Sequence, residues 1–131
     1  MFVIFVEYNP NPKGISTGDC VIRAICKALN KDWEKVYMEL TVEGLQEAMW
    51  GDTNHVWEKY LKEHGFTKQV LPNTCPDCYT IANFAKDYKT GTYIIATGSH
   101  VVTIQDGKYY DTWDSGYLIP SYYFYLKEGI K

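Results

Sequence analysis

The chain has 131 residues, 46% of them apolar and 16% aromatic, with a formal charge of −3. This length and composition allow one domain spanning 1–131 with a single core, and they exclude a disordered chain. There is no run of Lys or Arg to hold a phosphate backbone, so nucleic acid is not an expected partner.

The first residues, Met1-Phe2-Val3-Ile4-Phe5-Val6, are apolar but lack a basic leading segment, and Glu7 follows them directly. They are expected to form a strand and not a secretory signal. No later stretch approaches the ~20 apolar residues that span a bilayer, so neither a membrane nor export is expected and the location reads as cytoplasmic. Two prolines and a glycine make Asn9 to Gly14 a loop.

From Cys20 to Leu29 the apolar residues Val21, Ile22, Ala24, Ile25, Ala28 and Leu29 recur at helical spacing, with Asp19 or Thr17 available as a cap. A second helix is predicted from Asp32 to Met49, burying Trp33, Val36, Tyr37, Leu40, Leu45 and Met49, with Gly44 as a weak point. A third, from Asn54 to His64, carries Val56, Trp57, Tyr60 and Leu61, and Gly65 is placed to take a left-handed conformation after it. Phe66 to Leu71 reads as a short strand, and Thr80 caps a short helix ending near Lys86. The remaining pattern is β: Thr92 to Thr97, Val101 to Gln105, Lys108 to Trp113, and Tyr122 to Leu126. The fold class is therefore α+β, with N-terminal helices packed on a C-terminal antiparallel sheet.

Asp106-Gly107 between two alternating runs predicts a two-residue type I′ hairpin. Its register sets Gln105 opposite Lys108, Ile104 opposite Tyr109, Thr103 opposite Tyr110 and His100 opposite Trp113. His100 and Asp111 then become diagonal neighbours on one face, roughly 7–8 Å apart at the backbone, a span their side chains can close. A one-residue bulge would exchange Asp111 for Asp114. Cys20 at a helix start, His100 on a strand and Asp111 beside it supply what a thiol nucleophile needs: a group that favours thiolate, a base, and a carboxylate that orients the base. Arg23, one turn after Cys20, is placed either to favour thiolate as a cation or to be a solvated helix residue, and it is left outside the site.

These residues resemble the papain-like cysteine peptidases, in particular the compact version found in the peptidase domains of bacteriocin-processing transporters. The similarity rests on Thr17-Gly18-Asp19-Cys20-Val21-Ile22-Arg23-Ala24, on Gly98-Ser99-His100-Val101-Val102, and on Tyr109-Tyr110-Asp111-Thr112-Trp113. The chain also resembles small phage and bacterial proteins of unassigned role, through Trp33 to Tyr37, Leu61 to Phe66 and Gly91 to Ile94. The resemblance implies a papain-like fold and a cysteine hydrolase acting on a peptide or protein substrate. Cys20 would be its nucleophile, His100 its general base and then acid, and Asp111 its orienting carboxylate, with no cofactor and no metal.

The family places a Gln before the nucleophile to bind the oxyanion, and this chain has none there. Asn9, Asn11 or Ser16 would have to supply that donor, and Asn11 is favoured. The rival reading is a catalytically inactive papain-like module that binds protein through a groove lined by Tyr117, Tyr122, Tyr123 and Tyr125. The spacing of Cys75-Pro76-Asp77-Cys78 suits a redox pair or half a zinc site, but neither context is present, and the four cysteines are expected to be reduced. The oligomeric state is left open.

Overall fold

The computed structural model describes residues 4–126, so the Met1-Phe2-Val3 part of the expected first strand lies outside the described residues. In chain order the elements are β1 (Phe5–Glu7), α1 (Cys20–Leu29), α2 (Trp33–Glu47), α3 (Asn54–Glu63), β2 (Phe66–Val70), α4 (Ile81–Asp87), β3 (Thr92–Ala96), β4 (Val101–Gln105), β5 (Lys108–Asp111) and β6 (Tyr122–Leu126). The strands form one six-stranded sheet in the order β1-β5-β4-β3-β6-β2.

The α+β class is as expected, but the sheet is mixed and not antiparallel. β1 runs parallel to β5, pairing Phe5 with Tyr109 and Glu7 with Asp111. Strands joined by a tight turn are forced antiparallel, whereas β1 and β5 are joined through most of the chain and carry no such constraint. The β4–β5 register is the predicted one, from Thr103 opposite Tyr110 to Gln105 opposite Lys108. Asp106 (φ 52°) and Gly107 (φ 79°) both adopt the left-handed backbone that a type I′ turn requires.

Alternation along the strands divides the core between the two faces of the sheet. Ile94, Ala96, Val101 and Phe124 pack against Val21, Ile25, Leu40, Trp57 and Leu61 of α1–α3. Their neighbours Ile95, Val102, Ile104 and Tyr123 pack against Ile81, Phe84 and Ala85 of α4. Consecutive tyrosines of β6 are split the same way: Tyr122 stacks on Trp57 with centroids 6.4 Å apart, and Tyr123 meets Phe84 at 4.9 Å. The expected set of four groove tyrosines is therefore divided, with Tyr122 on one layer and Tyr123 and Tyr125, 5.9 Å apart, on the other. α4 begins with the predicted Thr80 cap, closed as a capping box with Asn83.

α2 departs furthest from its helical reading. Val36 and Leu40 are buried, but Tyr37, Leu45 and Met49 are exposed. The helix stops at Glu47, Ala48 turns left-handed at φ 56°, and Met49 N–H donates to the Gly44 carbonyl at 2.8 Å. Gly44 is thus a close-approach site, where a Cβ would collide with the Met49 carbonyl oxygen. Gly51 has the same role against the Leu40 carbonyl, which a Cβ would meet at 2.9 Å.

Cys75 and Cys78 form a disulfide, which corrects the expectation of four reduced thiols. The turn that brings their Cα atoms to 4.2 Å is held by Thr74, whose hydroxyl donates to the Asp77 carbonyl at 2.7 Å and accepts from Tyr79 N–H at 3.1 Å. Cys20 and Cys26 are free thiols. No helix among the described residues is long and apolar enough to cross a membrane.

Replacing Gly44 by Ala should destabilise the fold. Better helix propensity contributes about 1 kcal/mol in favour of Ala. The clash is with backbone that is itself hydrogen-bonded and cannot rotate away, so overpacking at about 1–3 kcal/mol should prevail. A lower urea midpoint at unchanged m-value is the expected result.

Candidate active site

Cys20 opens α1 directly after Gly18, which takes the left-handed backbone at φ 67°, and Asp19. The helix is fixed on the centre of the sheet by Thr103, whose hydroxyl donates to the Ala24 carbonyl at 2.5 Å. His100 sits in the loop between β3 and β4, which is tied by Thr97: its hydroxyl accepts from Ser99 N–H at 3.1 Å and His100 N–H at 3.0 Å. Asp111 is the last residue of β5. The structure brings these three side chains together at one end of the sheet.

His100 Nε2 and Asp111 Oδ2 are 2.6 Å apart. The Cys20 thiol lies against the His100 imidazole and the Val101 N–H, near enough that both favour its ionised form. Nε2 is occupied by the carboxylate, so Nδ1 is the ring nitrogen that serves the sulfur. The Trp113 ring lies over His100, with centroids 4.9 Å apart, and shields the His–Asp bond from solvent on that side. Asp114 is not part of this constellation, since it accepts from the Tyr109 hydroxyl and from Gly116 N–H.

Asp111 is only 2% exposed, and donors surround its carboxylate. His100 and Ser115, the latter at 2.6 Å, bond Oδ2, while Thr112 N–H at 2.8 Å and Arg23 Nη2 at 3.3 Å reach Oδ1. Strict alternation would turn Asp111 toward α4 with Val102 and Ile104. At the end of its strand the carboxylate instead reaches Arg23 of α1 on the opposite layer.

Arg23 corrects the sequence expectation most directly. It is 5% exposed, not solvated, and its guanidinium bridges Asp111 and Asp19. Asp19 occupies the N-cap position of α1 without capping it, because its second oxygen accepts from Trp33 Nε1 at 2.8 Å. The available signal was the four-residue spacing of Asp19 and Arg23, which on a helix places acid beside base. The roles of Ser115 and Thr97 left no mark in spacing alone, since both act through loop geometry.

Electrostatics follow from these contacts. Burial opposes ionisation of Cys20, but the bonds from His100 and Val101 and the charges of His100 and Arg23 outweigh it and hold the thiol below its usual range. Burial likewise opposes charge on His100, yet the Asp111 carboxylate and the Cys20 sulfur raise its pKa to about 9. Burial resists ionisation of Asp111 too, and the bonds from His100 and Ser115 still keep it below the ordinary carboxylate range. The two shifts act together, each favouring the thiolate–imidazolium form of the pair. Cys26 is pushed the other way, to about 12, by burial and by the charges of Asp19 and Asp32.

Asn11 is buried in the loop before α1. Its Oδ1 accepts from Lys13 N–H at 2.8 Å and its carbonyl from Gly14 N–H at 2.9 Å, so these bonds close its own loop. Its side chain lines a groove together with Thr17, Gly18 and Asp19. No group of three or more His, Cys, Asp or Glu among the described residues is arranged to hold a metal ion. No family model, curated protein or solved structure matches this chain.

Arg23→Met should leave Asp19 and Asp111 buried without their cation and cost about 3–5 kcal/mol in urea unfolding. The pH dependence carries a sign. Both carboxylates titrate below their ordinary values, so their stabilisation is present above about pH 4 and is lost as pH falls further. In Arg23→Met that acid-side loss should shrink or reverse. His100, raised to about 9, stabilises the fold fully below about pH 6.5, and this contribution should disappear as pH climbs through 9.

Proposed function

We propose that the chain is a thiol hydrolase of papain-like type that cleaves a peptide or amide bond by acyl transfer. The observation that carries the reading is that His100 interacts with both Cys20 and Asp111, with Nε2 held 2.6 Å from the carboxylate and Nδ1 left for the sulfur. In the first step the Cys20 thiolate attacks the carbonyl carbon and forms a C–S bond, with the Cys20 N–H donating to the oxyanion. His100 Nδ1–H then protonates the leaving nitrogen as the C–N bond breaks. Water, losing a proton to His100, attacks the thioester, and the acid departs while thiolate and imidazolium are restored. Asp111 stays ionised throughout and fixes the ring. We assign the second oxyanion donor to Asn11 Nδ2, in the role that the resembled family gives to a Gln.

A non-catalytic protein-binding module on the same scaffold is the second reading, favoured by the exposed apolar side chains of α2. The two differ in the thiol. A binder has no need of a depressed Cys20 pKa, whereas the hydrolase depends on one.

Iodoacetamide labelling of the native protein, read by mass spectrometry, separates them. Cys20 should be alkylated with a midpoint below the ~8.5 of a free thiol, Cys26 should stay unlabelled through pH 9, and Cys20→Ser should remove the label. Equal labelling of Cys20 and Cys26 would refute the hydrolase. Turnover of a responsive substrate should decline above pH 9, where the imidazolium that protonates the leaving group is lost. Asn11→Asp keeps the acceptor that closes the loop but removes the donor. It should lower turnover about a hundredfold and leave Cys20 alkylation within about twofold of wild type.

A further inference from the structure

Cys75 and Cys78 have no part in the acyl-transfer chemistry, and they lie apart from it. The residues flanking the pair, Leu71 and Tyr79, pack against the α4 layer, whereas Cys20 and Cys26 pack with α1–α3 on the other side of the sheet. Cys75 is exposed and Cys78 is half-buried. The segment that carries them is held without help from sulfur. Leu71 N–H donates to the Ser121 carbonyl at 2.9 Å, and the Tyr79 hydroxyl donates to Asp87 Oδ2 at 2.6 Å. Between these anchors Asn73 Oδ1 accepts from Cys75 N–H at 3.0 Å, and the Thr74 hydroxyl joins the Asp77 carbonyl to Tyr79 N–H. A bridge between residues only three apart also removes little entropy from the unfolded chain, so the fold gains little from this one.

We propose that Cys75–Cys78 is a redox-active disulfide that opens and closes by exchange with small thiols, a second chemical function separate from that of Cys20. Accessibility decides which sulfur is attacked. A small thiolate reaches the exposed Cys75 and forms an S–S bond to it, while the electron pair of the old bond leaves on Cys78, which takes a proton from water. A second small thiolate attacks the small-thiol sulfur of the mixed disulfide and releases Cys75 as thiolate. The protein disulfide has then gained two electrons, and two small thiols have become one disulfide. For the bond to close again, Cys78 must find the mixed disulfide on Cys75. The turn held by Asn73 and Thr74 keeps the two sulfurs together at high effective concentration. A disulfide that merely fastened the chain would have no need of a turn already fastened by hydrogen bonds.

The test uses glutathione as the small thiol and a Cys20→Ser background, so that the hydrolytic sulfur stays out of the readout. The folded protein is incubated with millimolar reduced glutathione, quenched with acid, alkylated and read by mass spectrometry. Cys75 and Cys78 should both become alkylatable with the circular dichroism unchanged, and glutathione disulfide should restore the bond. With Cys78→Ser added, glutathione disulfide should modify Cys75 about tenfold or more faster than it modifies Cys78 when Cys75→Ser is added instead. Thr74→Val, at an exposed position that the core does not use, should move the equilibrium in a glutathione redox buffer about tenfold toward the dithiol. A bond that glutathione leaves closed in the folded protein, or whose opening unfolds it, is structural and would overturn the proposal. So would thiols that glutathione disulfide leaves unpaired, equal modification of the two cysteines, or a Thr74→Val equilibrium equal to that of the parent. None of these outcomes bears on the hydrolase reading, which stands or falls on Cys20.

Discussion

The buried guanidinium of Arg23 is the interaction on which the rest of the site depends. Removing an ion from water costs several kcal/mol, and two carboxylates brought together add mutual repulsion. Arg23 makes the cluster tolerable by standing between Asp19 and Asp111. From Asp19 through Arg23 and Asp111 to His100, the charges then alternate in sign. Each ion is neutralised by its neighbour, and no member can be discharged without exposing the next. The same contact joins α1 to the end of β5, so the helix that bears the sulfur and the strand that bears the carboxylate are held by one side chain.

This explains a difference between the two free thiols. Cys20 and Cys26 lie on one helix, yet their acidities move in opposite directions. Cys20 faces the cationic members of the chain of charges, His100 and Arg23. Cys26 faces hydrocarbon and the field of Asp19 and Asp32 without a cation of its own. Position on the helix, more than residue type, decides which thiol is acidified and which is not.

Much of the architecture could be read from local pattern. Asp106-Gly107 fixed the hairpin register, and through it the meeting of His100 with Asp111 and Trp113, because a two-residue turn leaves no freedom in pairing. Thr80 and Gly65 began and ended elements where their chemistry required. What pattern could not supply was direction and partner. β1 joined its sheet in parallel because nothing near it in sequence dictates orientation, and the exposed side of α2 was taken for core because an apolar stripe looks the same whether it meets the protein or something else. Arg23 was misplaced for a related reason: a cation on a helix is ordinarily solvated, and only the fold brings Asp111 to it. The Cys75–Cys78 bond likewise depends on the turn that Thr74 closes, which composition does not reveal.

The position of β6 has a consequence for synthesis. This strand comes last among the described elements yet lies inside the sheet, between β3 and β2. Until it emerges from the ribosome, β2 has no strand to pair with and β3 is open on one side. α1 and its sulfur are made early, but the sheet on which they must rest closes only at the end. A growing chain would therefore carry the Cys20 thiol for much of its synthesis before the sheet that holds His100 and Asp111 beside it is complete.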